Sequence, residues 1–120
     1  MSELSHFAVI LPVNDIEEST SFYTDQLGFS LYASWGTPLD YAVLKRDGIT
    51  INLSAQESSV ALPPTNSLYI FCEDIKNLYA TFQAKSVSFA EPLNRTEYGM
   101  EEFVVKDNTG YRLAFGQSAN

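Results

Sequence analysis

The sequence predicts an α+β fold built from two copies of a unit that contains one strand, one helix and three further strands. Short apolar runs typical of strands are separated by turns rich in Gly, Pro and Asn. Two segments with helical spacing each follow such a strand. The order of elements also repeats: moving the second half back by 59 positions places Asp74-Ile75 on Asp15-Ile16. Repetition at this period indicates two related modules.

The first module is predicted over about 6–54. Its apolar run 7–13 reads as a buried strand, and Asp15 with Glu18 three residues later is typical of a capping box that begins a helix. Apolar residues at helical spacing extend that helix over 15–27, and a glycine at position 28 ends it. Three strands are predicted to follow, at 29–35, 41–45 and 49–54.

The second module is predicted over about 67–117, after a Ser- and Pro-rich linker at 55–66. A strand at 68–72 is followed by Asp74, which we expect to cap a second helix. Strands at 86–90, 101–106 and 111–115 complete this module. The whole chain, 1–120, is expected to form one domain, because its length is that of a single domain.

Charge and composition limit the possible partners and the compartment. The 120 residues carry a formal net charge of −8, which disfavours nucleic acid. No apolar run approaches the roughly 18 residues of a membrane span, and the first residues lack the pattern of a signal peptide. The single cysteine, Cys72, lies in an apolar run, where we expect a small buried hydrophobe. These features favour the cytoplasm.

Two motifs carry a resemblance to a known family. The segment NDIEESTSFYTDQLGF at 14–29 resembles the first module of the vicinal oxygen chelate superfamily, which includes glyoxalase I, extradiol dioxygenases and bleomycin resistance proteins. The segment YGMEEFVVKDNTGYRLAFGQ at 98–117 is similar to the ending of the second module, with an acidic residue before Phe and then Asp-x-x-Gly-Tyr. The resemblance implies two βαβββ modules that form a curved, cleft-enclosing mixed sheet, commonly in a homodimer.

The family's metalloenzymes place His, Gln or Glu ligands at four inward-facing strand positions. Here those positions fall on Ala8, Asn52, Ser67 and Ala114, which offer no imidazole or carboxylate to a divalent metal. His6 lies on the same strand but has no evident carboxylate partner. We therefore expect no metal, no cofactor and no catalytic residue.

The residue pattern of the strands predicts which side chains face the cleft. If the four lost metal positions point inward, strand alternation places Ile10, Thr50, Ser54, Tyr69, Phe71 and Arg112 beside them. The alternate residues are expected to pack under the helices; they are Phe7, Val9, Ile51, Leu53, Leu68, Ile70, Leu113 and Phe115. The resemblance places Tyr69 and Tyr98 where the bleomycin resistance branch has stacking aromatics. The predicted ligand-binding residues are Tyr32, Trp35, Tyr41, Asn52, Ser54, Tyr69, Phe71, Tyr98 and Arg112.

Three functional hypotheses follow. The first is a non-enzymatic protein of the bleomycin resistance type that sequesters a cationic or aromatic small molecule. The second is a metal-dependent lyase, isomerase or dioxygenase of the same superfamily; a cofactor-free variant would use Glu97 or Glu101 as a general base. The third is a regulatory or interaction module without a ligand.

Overall fold

The computed structural model describes residues 2–119 and divides the chain into two compact units, one up to Val60 and one from Ala61. Each unit has one strand, one helical segment and three further strands, and each forms one four-stranded mixed sheet. The predicted α+β fold of two βαβββ modules is therefore confirmed. We call the two units the first and the second module.

The first module has its strands in the order β1-β4-β3-β2. The pair β1–β4 is parallel, whereas β4–β3 and β3–β2 are antiparallel. Its elements are β1 (Val9–Val13), α1 (Ile16–Ser21), a π-helical segment (Phe22–Gln26), β2 (Ser30–Trp35), β3 (Tyr41–Arg46) and β4 (Ile49–Ala55).

The helical segment of the first module begins and ends where the sequence predicts. The Asp15 carboxylate accepts a hydrogen bond from the backbone N–H of Glu18 at 3.0 Å, as an N-cap does. Gly28 has a φ of +76°, which a residue without a Cβ adopts at low cost. The second half is nevertheless π-helical, because the N–H of Leu27 bonds the carbonyl of Phe22 five residues earlier.

One face of the first sheet forms the core and the other lies open. Ile51 and Leu53 on β4 are fully buried, together with Leu44 of β3, Tyr23 of the π-helical segment and Leu27 just after that segment. The opposite face, which we call the first open face, carries the alternate residues of the strands. The expectation for Phe7 was wrong: this residue precedes β1, lies outside the strand pairing and is 82% exposed.

The second module has the same topology, with the order β5-β8-β7-β6 and a parallel β5–β8 pair. Its face opposite the helix is called the second open face. Its elements are β5 (Leu68–Phe71), α2 (Ile75–Ala84), β6 (Ser88–Arg95), β7 (Met100–Lys106) and β8 (Arg112–Ser118). The residues 56–67 between β4 and β5 contain no helix or strand.

Helix α2 begins differently from the prediction. Asp74 has a left-handed backbone with φ 51°, and its side chain makes no capping hydrogen bond. The side-chain oxygen Oε1 of Gln117, at the end of β8, accepts the bond from the N–H of Ile75 at 2.8 Å. The helix start is thus satisfied by a residue distant in sequence, which ties α2 to β8.

Aromatic rings dominate the core of the second module. Phe103 of β7 stacks on Phe115 of β8 with ring centroids 5.1 Å apart, and Phe82 of α2 meets both rings edge-on. Such arrangements suit the ring quadrupole, so they fix the helix against the sheet. No helix within residues 2–119 is both long and apolar enough to cross a membrane.

The Asp-x-x-Gly-Tyr motif forms the turn between β7 and β8. Asp107, only 6% exposed, accepts hydrogen bonds from the backbone N–H groups of Thr109, Gly110 and Tyr111 at 2.8–3.0 Å. Gly110 has φ +111°, a conformation that favours glycine. The motif is therefore explained by the turn that sets the register of β8.

Candidate functional site

The first open face carries an aromatic row across three strands. Trp35 of β2 pairs with Tyr41 of β3, which pairs with Ser54 of β4. The Trp35 and Tyr41 rings meet edge-on, with centroids 6.0 Å apart. Trp35 is 56% exposed, whereas Tyr41 and Ser54 are half-buried. The row thus ends in an indole ring that is free to contact another molecule.

Asn52 lies two residues before Ser54 on β4, on the same face, and its amide contacts the aromatic row through Tyr41. Its Nδ2 donates a hydrogen bond to the Tyr41 hydroxyl at 2.9 Å. Its Oδ1 is buried and has no hydrogen-bond partner. A buried acceptor without a partner costs about 1–3 kcal/mol, so the fold holds this oxygen in an unfavourable state.

Tyr32 has a cationic partner within its own module. It lies at an irregularity in the β2–β3 pairing and is 69% exposed. The Lys45 ammonium lies 4.2 Å from its ring centroid, a cation–π contact. A ligand that stacks on the same face of this ring would have to displace Lys45.

The second open face brings Tyr69, Gly116 and Glu102 together across three strands. Glu102 of β7 pairs with Gly116 of β8, while Tyr69 of β5 pairs with Ala114, which lies two residues before Gly116 on the same face of β8. The Tyr69 ring leans over Gly116, and its hydroxyl donates to Glu102 Oε2 at 2.5 Å. This contact needs the absence of a side chain at position 116.

Tyr98 and Phe71 border the same carboxylate. Tyr98, in the turn between β6 and β7, donates its hydroxyl to Glu102 Oε1 at 2.6 Å. Phe71 pairs with Gly116 from the other side, and its ring centroid lies 5.0 Å from that of Tyr69. Tyr98 and Phe71 are 71% and 75% exposed. On the second open face the Glu102 carboxylate therefore contacts the Tyr69 and Tyr98 hydroxyls, and the Phe71 ring lies beside that of Tyr69.

The two phenols of this cluster hold their protons strongly. Burial raises the pKa of Tyr69 well above its ordinary value, and the hydrogen bond to Glu102 raises it further. For Tyr98 the hydrogen bond to Glu102 is the main cause of a raised pKa. Burial also raises the pKa of the half-buried Cys72 thiol, which donates a weak hydrogen bond to the Gly116 carbonyl. These groups are therefore neutral near pH 7.

Arg112 is bound within the second module. Its Nη2 lies 2.9 Å from Glu91 Oε2 on β6, and its Nε donates to Asn66 Oδ1 at 3.1 Å. The guanidinium is thus already paired with Glu91, and a ligand that bound it would have to share it with that carboxylate.

The side chains at the four expected metal positions do not fit a catalytic metal. Ala8 and Ala114 offer only methyl groups, and Asn52 and Ser67 offer neutral oxygens. Within residues 2–119 no group of three or more His, Cys, Asp or Glu side chains could hold a metal ion. His6 is exposed, with its Nδ1 beside the Ser5 hydroxyl.

The two carboxylates considered as general bases lie in different places. Glu97 is exposed in the turn before β7, next to Tyr98 in the sequence. Glu101 pairs with Gln117, so strand alternation places it on the face opposite Glu102. Glu101 therefore does not join the cluster on the second open face.

Sequence reasoning missed Glu102 and Lys45. Glu102 is the acidic residue before Phe103 in the second motif, so a signal for it existed, but its alternation with Glu101 was needed to assign its face. Lys45 reads as an ordinary surface residue, and only the register of β3 against β2 places it over Tyr32.

A protein-family model matches most of the chain. Residues 3–115 match the model described as the Glyoxalase/Bleomycin resistance protein/Dioxygenase superfamily. Among curated protein sequences, none matches the chain significantly.

Several solved structures have the same fold as this chain. TioX from Micromonospora sp. ML1 is 19% identical, with a TM-score of 0.81 over 95% of this chain and 98% of its own. TnmS3, an antibiotic-binding protein from Streptomyces sp. CB03234, is 20% identical, with a TM-score of 0.79 over 98% of each chain. The bleomycin-binding protein from Streptomyces verticillus, solved with copper(II)-bleomycin, is 23% identical, with a TM-score of 0.74 over 96% of this chain and 97% of its own. At these identities the likeness establishes the fold.

Proposed function

Because the chain belongs to the glyoxalase/bleomycin resistance protein/dioxygenase superfamily, we propose that it binds and sequesters a cationic or aromatic small molecule, such as a bleomycin-type antibiotic, without transforming it. One observation carries the proposal: the exposed Trp35 ring ends a row in which Tyr41 holds the Asn52 amide with its Oδ1 unpaired. The exposed ring suits stacking by a flat ligand, and a ligand donor that reached the buried Oδ1 would remove the cost of leaving it unpaired.

The exposed aromatic residues of both modules support this function. Trp35, Phe71 and Tyr98 are each more than half exposed, although moving a large ring out of water is favourable. Stacking of an aromatic ligand on such a ring contributes about 0.5–1.5 kcal/mol beyond the buried area. Phe71 and Tyr98, which both belong to the second module, acting together would give a useful affinity for a flat compound.

Charge favours a cationic ligand. The net charge of −8 attracts cations through the long-range field, and residues 1–60 contribute −6 of it from eight acids and two bases. An acidic protein with aromatic surfaces suits a ligand that is flat at one end and positively charged at the other.

The structural neighbours agree with this class of function. The Streptomyces verticillus protein is a bleomycin-binding protein, and TnmS3 is an antibiotic-binding protein. Both share the fold over nearly the whole chain, which makes sequestration of an antibiotic the natural starting hypothesis.

The proposal excludes the metal-dependent reactions of the superfamily for this chain. Asn52, Ser67 and two alanines are poor ligands for first-row divalent metals, which prefer imidazole and carboxylate. Elemental analysis of protein purified without chelator checks this point. Close to one equivalent of Ni, Zn, Mn or Fe per chain would favour a metal-dependent lyase or dioxygenase instead.

We also propose that the protein acts as a homodimer in the cytoplasm, as the family resemblance implies. Sedimentation equilibrium measures the first part, and a sedimenting mass equal to that of one chain at all concentrations would contradict it.

The direct test is calorimetric titration with copper-free bleomycin, combined with a DNA-cleavage assay. We expect saturable heat and protection of DNA in proportion to the protein added. An absence of both heat and protection would remove the drug-sequestration claim. Binding of a protein partner, together with an absence of small-molecule binding at the aromatic residues, would favour the interaction-module hypothesis.

A further inference from the structure

We infer that Glu102, framed by Tyr69, Tyr98 and Phe71, is a recognition site for an organic cation, namely the protonated amine or guanidinium of a ligand. The inference rests on the proposed function, because it names the chemical group of a small-molecule ligand that the second open face would bind.

The first argument is that the charge of Glu102 is not compensated. Its two oxygens accept hydrogen bonds from the Tyr69 and Tyr98 hydroxyls, which are neutral donors. In the described part of the chain it forms no ion pair with Lys, Arg or His, whereas Glu91 on the neighbouring strand is paired with Arg112. A half-buried carboxylate without a counterion attracts a cation.

The second argument is the aromatic surroundings. Tyr69 and Phe71 lie side by side on β5 with ring planes at 55°, and Tyr98 approaches the carboxylate from the turn before β7. Ring faces attract ammonium and guanidinium groups, and this attraction adds to that of a carboxylate. Such a combination of rings and one carboxylate is suited to a large, weakly hydrated organic cation.

The third argument is preorganisation. Gly116 leaves the space that the Tyr69 hydroxyl needs, so the phenol reaches Glu102 across β8. With both oxygens held by hydrogen bonds, the carboxylate has little freedom to lose when a ligand binds. The two bonds leave acceptor capacity on each oxygen for a donor from the ligand.

The chemistry of the cluster disfavours other ligands. An anion would be repelled by the carboxylate, and a neutral donor would leave the charge uncompensated. A bare calcium or magnesium ion needs six or more oxygen ligands, and this site offers a single carboxylate.

The test compares two probes that share a phenylbutyl tail and differ in head group, the cationic 4-phenylbutylamine and the neutral 4-phenylbutanol, by calorimetry at neutral pH with the full chain. The amine is expected to bind about tenfold more tightly than the alcohol. The Glu102→Gln variant keeps an acceptor but removes the charge, so the amine's advantage should fall to about threefold or less, the part that the aromatic rings supply. The matched control is Glu101→Gln, which removes the same charge from the opposite face of the same strand and should keep the amine's advantage.

A second variant guards against a folding defect in Glu102→Gln. Phe71→Leu alters a side chain that is 75% exposed, keeps it apolar and removes the ring. It should reduce the amine's advantage about threefold. Equal affinity of the wild type for both probes, binding of neither probe, or an unchanged ratio in Phe71→Leu would overturn the inference.

The outcome is separable from that of the proposed function. If copper-free bleomycin fails to bind while the amine binds in a Glu102-dependent way, the drug claim fails and the cation site stands. If bleomycin binds to the wild type and to Glu102→Gln with the same affinity, the cation site is overturned and sequestration stands.

Discussion

Gly116 leaves open the space in which the Tyr69 hydroxyl lies. A Cβ atom at position 116 would collide with that hydroxyl and would come within 2.8 Å of the ring carbon Cε1. The backbone of Gly116 has no positive φ, so the glycine is needed here for room rather than for conformation. One missing side chain on β8 therefore allows a residue of β5 to reach Glu102 on β7.

Replacing Gly116 with Ala should destabilise the second module. The added methyl group would push the Tyr69 ring away and break its bond to Glu102, at a cost of about 1–3 kcal/mol. Urea unfolding measures the change. The matched control is Gly48→Ala, because a Cβ there meets nothing within 4 Å and Gly48 has no positive φ. Equal stability of the two variants would contradict the steric role of Gly116.

Replacing Asn52 with Leu should stabilise the first module while weakening ligand binding. The change removes the unpaired buried Oδ1 and keeps the branching of the side chain, so we expect a gain of about 1 kcal/mol in the free energy of unfolding. Tyr41→Phe is the informative counterpart, because it removes the partner of Nδ2 and should destabilise. A loss of stability in Asn52→Leu would show that the amide contributes to folding rather than to binding.

Stability should fall in alkaline solution because Tyr69 has a raised pKa. Below the ordinary tyrosine pKa of 10.0, both the folded and the unfolded chain keep the Tyr69 proton, and the contribution of Tyr69 to the free energy of unfolding is fully present. Above it the unfolded chain loses a proton that the folded chain retains, so the free energy of unfolding decreases as pH rises. Urea unfolding from about pH 8 to about pH 11 should show this slope. Tyr69→Phe should reduce the slope, and an unchanged slope would contradict the assignment.

The sequence predicted most of the fold because its local signals agree with the final contacts. Asp15 and Gly28 bound the first helical segment through interactions within a few residues, so sequence spacing was sufficient. Asp74 failed as a cap because Gln117, 42 residues away, supplies the acceptor instead. A contact of that range follows from strand pairing and is not visible in a local pattern.

The sequence predicted which residues belong to the candidate site, but not which of their side chains contact one another. Strand alternation placed Tyr69 and Phe71 on one face, and the structure brings their rings 5.0 Å apart. It could not indicate that Glu102 receives two phenols, because the Tyr98 contact depends on the turn before β7. Nor could it indicate that Lys45 already covers the Tyr32 ring.

The most direct measurement is a calorimetric comparison of the wild type with Trp35→Ala and Phe7→Ala, using copper-free bleomycin as the ligand. Trp35 is the only tryptophan of the chain and ends the aromatic row, whereas Phe7 is an exposed ring outside both sheets. We expect saturable binding to the wild type, an affinity about tenfold lower for Trp35→Ala and no change for Phe7→Ala. Absence of binding to the wild type, or equal affinity for all three proteins, would contradict the account.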